Sequence, residues 1–483
     1  MKALGVLGTS SSAGKSWMTT ALCAWLRGQG VRVAPFKAQN MSNNAWATLD
    51  GGEMARAQAV QAEACGLVPS ADMNPILLKP TGPTGAQLVL RGRAVGHFEA
   101  RDHFGDMERL WGVVASALDG WRDHCDVLVL EGAGSPVELN LMDRDLVNLR
   151  PIRHLDGRWL LVGDIDRGGI YAQLAGTWAL LPEADRARGL GAIVNRFRGD
   201  ISLFPEPDAW LAPHAPGLRV LGTVPWRGDL QPEEEDGLSR GDEDRGRGDT
   251  LAWIRLPHAA NLTDCQPWWD DAGVRLRWIA DPALLASARA IVVPGSKNSI
   301  ADARWLHESG MGEAIVAAAR RGTLVVGICG GFQMLGRRLV DREGVAGDAG
   351  EVPGLGLLPV ETEFLPDKIV RQVTGECEGE RWTAYEVHMG RTYVLEGEPL
   401  QTVYDRGIAR AEGCRRDTVW GTYLHGWFES PRVRARVAAA AGFSAYRPHP
   451  LPWAEKRQAI YRAMADHVAA HVDLEPVRRY LGL

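Results

Sequence analysis

Lysine is scarce in this chain: of 54 Lys and Arg residues only seven are Lys, at positions 2, 15, 37, 79, 297, 368 and 456. Where Arg is the default cation, a retained Lys marks a place that needs a compact ammonium. Lys15, Lys37, Lys79 and Lys297 each stand beside Gly, Pro, Asn or Ser in loop-like contexts and enter the list of candidate site residues on that ground. The seven cysteines are scattered and never spaced as Cys-x-x-Cys, which excludes a disulfide framework and a zinc knuckle. No apolar run is long enough for a membrane span. A basic excess is missing too, since the net charge is −6, and this argues against a general nucleic-acid binder. The expectation is a soluble, cytoplasmic protein without nucleic-acid or membrane partners.

What is present is ordinary globular composition, 45% hydrophobic and 24% charged, over 483 residues, enough for about two to four domains. Short aliphatic runs alternate with helical patterns: Ala3–Leu7, Val31–Phe36, Val127–Leu130, Trp159–Val162 and Ala192–Asn195, then Leu251–Leu256, Val274–Ile279, Ala290–Val293, Leu324–Ile328 and Leu355–Val360. That order predicts an α/β chain of two doubly wound, mostly parallel-sheet domains. Between the two series, Asp229–Asp249 carries nine acidic and three basic residues and reads as a solvated linker. The expected division is residues 1–228, an acidic linker 229–250, a second domain 251–440 and a helical segment 441–483 that closes the second domain.

Gly8-Thr-Ser-Ser-Ser-Ala-Gly14-Lys15-Ser16 follows a strand and opens a helical pattern, Trp17–Leu26. In that setting backbone N–H groups cradle phosphates, Lys15 reaches the β/γ-phosphates and the Ser16 hydroxyl holds Mg²⁺. Five residues separate Gly8 from Gly14 where the common pattern has four. Glu131 ends a buried strand, where doubly wound sheets bind ligands, and could complete a Mg²⁺ site opposite Ser16. Lys37 could add positive charge to a transferring phosphoryl group, or be a solvated strand-end Lys. Asn195 could read a nucleobase, or cap a helix.

GTSSSAGKS, PFKAQNMSNNAW, EMARAQAVQAEA, MNPILLKP, EGAGSPVELNL, GDIDRGG and NRFRGD, spread over Gly8–Asp200, resemble the cobyric acid synthase family of cobalamin biosynthesis. The longer phosphate loop is similar to that of the dethiobiotin synthetase superfamily. The resemblance implies an ATP-binding set of Thr9, Gly14, Lys15, Ser16, Lys37 and Asn195. It also implies a ligase that activates corrinoid carboxylates as acyl phosphates with ATP and Mg²⁺. Gln58 and Gln61, with the Met73–Pro80 segment that holds Lys79, match positions that could face the corrinoid; helix surface and a loop crossover are the alternatives.

Farther along, Leu324–Ile328 is followed by Cys329-Gly330-Gly331 and a helical pattern. Small neighbours permit the sharp turn that exposes a nucleophile, and a helix start favours its thiolate. His425, in Gly421-Thr422-Tyr423-Leu424-His425-Gly426 at the end of a short β-like run, is the expected base. These residues are similar to class I glutamine amidotransferases over about Leu251–Ala440. The resemblance implies an oxyanion hole from the Gly295 and Gly330 amides and a glutamine contact at Gln333. Members of that class commonly carry Glu two residues after the His, where this chain has Trp427, so a full triad is in doubt. His388 also matches the family pattern and reads better as a structural histidine.

Together the halves imply a glutamine-dependent amide ligase: ammonia released from L-glutamine at Cys329 is consumed at an acyl phosphate made above Lys15. The resemblance implies cobyrinic acid a,c-diamide as the acceptor. Two alternatives stand beside it, a related a,c-diamide synthase and a nucleotide-switch protein whose second domain only binds partners.

Overall fold

The computed structural model describes residues 1–80, 85–99, 107–232, 244–346 and 349–483. It divides into two compact units, Met1–Ser42 with Met54–Glu233 and Arg457–Leu483, and Asn43–Glu53 with Glu234–Lys456.

The first unit is built on six parallel strands in the spatial order Val220–Pro225, Gly189–Phe197, Arg158–Asp164, Lys2–Gly8, Val127–Glu131 and Val33–Phe36. Both faces are apolar because helices cover both. Leu4 and Val6 pack with Met18, Leu22 and Leu26 of the helix Lys15–Gly28, whereas Trp159 and Leu161 pack with Val114 and Ile152 on the other side. The first strand lies between two later ones, so the loop after Gly8 opens at the crevice where such sheets bind ligands. A smaller sheet orders Gln39–Met41, Ile76–Pro80, Gly85–Leu90 and Arg93–Glu99.

The second unit has a seven-stranded sheet in the order Asp244–Gly246, Gly273–Ile279, Gly248–Ile254, Ala290–Val293, Leu324–Ile328, Val419–Thr422 and Cys414–Arg416. Its five inner strands are parallel, and both edge strands are antiparallel. Beside it stands a largely antiparallel sheet dominated by the long pair Val360–Cys377 and Glu380–Val394. The alternation of buried runs predicts the parallel sheets and misses this pair, in which half-exposed and exposed residues together outnumber the buried ones.

Three expectations are corrected. Arg457–Leu483 belongs to the first unit, where Tyr461, Met464, Val468 and Val477 fill the core beside Leu4 and Val6. Of the expected linker, residues 233–243 lie outside the described residues, while 244–246 and 248–250 are strand: Asp244 pairs with Arg275 at 2.6 Å across the edge and Gly248 opens a central strand. Leu355–Leu358 is not a strand, because the Leu355, Leu357 and Leu358 amides donate to the carbonyls of Met334 and Leu335; the strand begins at Val360.

Candidate active site

In the first unit the loop after Gly8 turns into its helix at Gly14, whose φ of +95° is left-handed. Glycine is required there twice over, since a Cβ would also lie 2.0 Å from the Asn195 amide nitrogen. Asn195 donates to the Ala13 carbonyl at 3.1 Å, so it braces the loop from the end of its own strand. The Lys15 ammonium bonds the Ser10 and Gly134 carbonyls at 2.8 and 3.0 Å, which brings the phosphate loop and the Glu131–Ser135 turn to one cation. Thr9 is held by its amide to the Val162 carbonyl and by its hydroxyl to Gln173, each at 2.9 Å.

Glu131 is the hub of this centre. It is 1% exposed and accepts hydrogen bonds from the Ser16 hydroxyl at 2.7 Å, the Lys37 ammonium at 2.9 Å, the Gln61 amide at 2.5 Å and the Gln58 amide at 3.4 Å. Burial alone would push its carboxyl up, but the Lys37 charge and the donated hydrogen bonds outweigh it and hold the group below the usual range. Lys37 therefore faces inward, not solvent. Ser16 and Glu131 offer a hard cation two kinds of oxygen ligand, and no cluster of three or more His, Cys, Asp or Glu among the described residues could hold a metal alone. That set fits a Mg²⁺ that takes its remaining ligands from phosphates and water.

Gln58 and Gln61 do not face a ligand surface as expected. Both are fully buried on the helix Arg56–Cys65, and both spend their amides on Glu131. Their helix is small and alanine-rich on all sides, which lets it sink into the core; Glu131 accepts from both side-chain amides, while the Gln61 carbonyl oxygen has no hydrogen-bond partner among the described residues. Gln58 also accepts from Asn40 at 2.8 Å. Lys79 lies on the smaller sheet, cross-strand from Gln87, and is buried. Sequence reasoning passed over Asp164, which ends its strand 1% exposed with Arg196 at 3.1 Å; the acid in GDIDRGG and the Arg in NRFRGD were the available signal.

In the second unit Cys329 sits between the strand Leu324–Ile328 and the short helix Gly330–Met334, at φ 50° and ψ −107°. A non-glycine residue in such a conformation carries strain of about 1–3 kcal/mol, and it persists because the neighbours fix the turn. The Cys329 amide donates to the Thr422 carbonyl at 2.8 Å. A Cβ on Gly331 would lie 1.9 Å from the Val293 carbonyl oxygen, and one on Gly330 2.7 Å from the Ser296 amide nitrogen. The glycines thus let the turn press against the Pro294–Ser296 loop. Gly295 is tight to a lesser degree: its Cβ would meet the His425 ring and the Ala260 carbonyl oxygen at 3.1 Å. The turn, the Gly295 loop and His425 are brought together in this unit.

His425 follows the strand Val419–Thr422 and is 1% exposed. Its Nδ1–H donates to Asp264 Oδ2 at 2.7 Å, and the Gly426 amide donates to the other oxygen at 2.8 Å. Nε2 is buried, with no hydrogen-bond partner among the described residues. Burial lowers the affinity of the ring for a proton, yet Asp264 and Cys329 more than reverse this and raise its pKa to about 10. An imidazolium beside a thiol is the arrangement that populates thiolate. Asp264 was not in reach of sequence reasoning: it lies in a short 3-10 turn, Leu262–Trp268, 161 positions from the His it serves.

Trp427 is buried and donates its indole N–H to Gln401 at 2.7 Å, so it has a structural task. Gln333 accepts from the Ser299 hydroxyl at 2.8 Å and donates to the Tyr423 hydroxyl at 3.2 Å. Lys297 anchors its loop through its amide to the His258 carbonyl at 2.9 Å. His388 stacks on Tyr423 with centroids 3.7 Å apart and bonds the Gly390 carbonyl, as suits a packed histidine.

Comparison with known proteins accords with this pair of centres. Residues 4–239 match the CobQ/CobB/MinD/ParA nucleotide binding domain, and residues 250–433 match the CobB/CobQ-like glutamine amidotransferase domain. A cobyric acid synthase of Roseiflexus castenholzii is 45% identical over 98% of this chain and 97% of its own. The chain belongs to the cobyric acid synthase family. Cobyric acid synthases of Rhodococcus jostii, 44% identical over 99% of this chain and 95% of their own, and of Variovorax paradoxus, 47% over 90% and 93%, are similar in the same way. As a cobyric acid synthase family member the chain is an enzyme of cobalamin biosynthesis, a ligase with a glutamine amidotransferase domain acting on a corrinoid. The nucleotide-switch alternative, with a second domain that only binds partners, is thereby overturned. No helix among the described residues is long and apolar enough to cross a membrane.

Proposed function

We propose that this enzyme converts the b, d, e and g carboxylates of cobyrinic acid a,c-diamide to carboxamides and yields cobyric acid, with ATP and glutamine consumed for each amide. The observation that carries the reading is Cys329 in a strained turn beside a His425 held by Asp264, in one chain with a phosphate loop backed by Glu131 and Lys37.

At the second centre the Cys329 thiolate attacks the side-chain carbonyl carbon of glutamine, and the Gly295 and Gly330 amides receive the oxyanion. His425 gives its Nε2 proton to the leaving nitrogen, ammonia departs and a glutamyl thioester remains. Water, deprotonated by His425, then attacks the thioester, glutamate leaves and the thiolate returns. Asp264 keeps the ring in the tautomer and orientation that both steps need.

At the first centre a corrinoid carboxylate oxygen attacks the γ-phosphorus of ATP and ADP leaves. Ammonia attacks the carbonyl carbon of the acyl phosphate, and phosphate leaves as the C–N bond forms. The loop amides and Lys15 bind the phosphates, Asn195 braces the loop, and Lys37 offsets charge on the transferring group. Ser16 and Glu131 would hold Mg²⁺, which when bound supplies charge neutralisation.

The test is an assay with glutamine, Mg-ATP and cobyrinic acid a,c-diamide in which product mass is followed. The reading expects mass to change in single acid-to-amide steps until four amides are added, with one ADP per step. A product that stops after one amide, or a corrinoid left unchanged, would contradict it.

A further inference from the structure

A short stretch of the amino-terminal region, Asn43–Glu53, belongs to the second unit, whereas the residues on either side of it, Ser42 and Met54, belong to the first. It folds back on itself at Thr48–Gly52, where the Thr48 amide donates to the Gly52 carbonyl at 2.8 Å. Three kinds of contact tie it to the amidotransferase unit. Asn44 and Asn261 form a reciprocal clasp: the Asn261 amide donates to the Asn44 side chain at 2.9 Å, and the Ala45 amide donates to the Asn261 side chain at 3.2 Å. Gln372 donates to the Ala47 carbonyl at 2.7 Å. Lys368 forms an ion pair with Glu53, which is 1% exposed.

These contacts converge on His425 by two routes. Asn261 caps the turn Leu262–Trp268 in a left-handed conformation, φ 53° and ψ 49°, and that turn carries Asp264. The second route runs through rings. Trp46 is 5% exposed and packs on Tyr385 with centroids 4.5 Å apart, and Tyr385 lies against His425 with centroids 5.3 Å apart and an interplanar angle of 32°. The Tyr385 and His425 backbones also exchange hydrogen bonds at 3.1 and 2.9 Å. Tyr385 therefore lies against the His425 ring, and Trp46 lies against Tyr385.

We propose that Trp46 is a positioning residue of the glutaminase centre, which holds Tyr385 against His425 so that Nε2 stays aimed at Cys329. Asn44 and Asn261 fix the same ring from the Asp264 side. A residue spelled far from the amidotransferase sequence thus completes its active centre. Aromatic stacking is suited to this task because a flat ring constrains the tilt of its neighbour, and an aliphatic side chain of similar bulk fills the space without doing so. The proposal rests on the reading that Cys329 and His425 hydrolyse glutamine.

The experiment compares Trp46→Phe, Trp46→Leu and Cys329→Ser in the full chain, with kcat, KM and the pH profile of glutamine hydrolysis as readouts. Trp46→Phe keeps a ring and is expected to retain roughly half or more of kcat, whereas Trp46→Leu is expected to lose about ten-fold or more with little change in KM. In Trp46→Leu the alkaline limb set by His425, about 10 in the parent, should also move toward 6.5 as contact with Asp264 and Cys329 loosens. Equal kcat values for the Phe and Leu variants, with an unmoved alkaline limb, would overturn the positioning role. Glutamine hydrolysis by Cys329→Ser at the parent rate would instead overturn the underlying reading, whatever the Trp46 variants do.

Discussion

Asp264 accepts a hydrogen bond from the Nδ1–H of His425 at 2.7 Å, from a turn 161 residues away in sequence. Its other oxygen is occupied by the Gly426 amide at 2.8 Å, so the carboxylate is locked to the backbone of the residue that follows the histidine. Asp264→Asn keeps the size of the side chain and removes its charge. Glutamine hydrolysis should fall by about 10²–10⁴-fold, the range that correctly placed acid–base groups contribute. Synthesis from added ammonium salts should change far less. Parallel assays with the two nitrogen sources check this, and equal losses in both would show that Asp264 serves folding alone.

The raised pKa of His425 makes a stability prediction with a definite sign. A group bound more tightly to its proton in the folded state stabilises fully below its unfolded pKa of 6.5, and that contribution disappears as pH rises through about 10. The parent should therefore lose urea resistance across this interval, and Asp264→Asn should lose less of it. Unfolding midpoints of both proteins at a series of pH values decide the point. Parallel curves would contradict the assignment of that proton to His425.

Which parts of this were legible in the sequence follows from how local their physics is. The phosphate loop and the cysteine turn are spelled by contiguous residues whose glycines are forced locally, by a left-handed φ and the nearby Asn195 side chain at Gly14 and by backbone approach at Gly331. The strands that carry them are buried on both faces and so read as unbroken aliphatic runs. Asp264 and Trp46 lie in segments with no periodic pattern, and their roles exist only after the chain has brought distant turns together. Gln58 and Gln61 were legible as special but not as inward-facing, because a polar residue on an alanine-rich helix carries no sign of which side is buried. The long Val360–Cys377 and Glu380–Val394 pair escaped for another reason: Val360–Cys377 alternates buried and half-exposed residues only at its two ends, and the middle, 365–372, has no buried residue to carry the period across.

Two glycine substitutions should separate close approach from mere flexibility. Gly331→Ala would put a methyl group 1.9 Å from the Val293 carbonyl oxygen, and since that oxygen is backbone the turn itself must move. The expected cost is at least about 1–3 kcal/mol with loss of glutaminase. Gly176, in the helix Ile170–Leu180, has nothing within 4 Å of an added Cβ, so Gly176→Ala should stabilise by about 0.5–1 kcal/mol. Thermal melts of the two variants read the contrast.

Glu131→Gln should affect both stability and turnover. The carboxylate is the counter-charge of Lys37, and both side chains are buried, 1% and 7% exposed. Removal of one partner of a buried pair costs about 3–5 kcal/mol, and here it takes from Lys37 the carboxylate 2.9 Å from its ammonium. Lys37→Met in the Glu131→Gln background should recover much of the melting temperature and none of the synthesis. A single variant with unchanged stability would mean that Lys37 finds another partner.

The central claim is that one centre makes ammonia and the other spends it. Cys329→Ser tests it most directly, assayed for ATP-dependent corrinoid amidation with glutamine and, separately, with an ammonium salt. The account predicts that the glutamine-supported rate is abolished while the ammonium-supported rate stays near that of the parent, since the thiolate is needed only to release nitrogen. A folded Cys329→Ser enzyme that loses both rates equally, or keeps both, would contradict it.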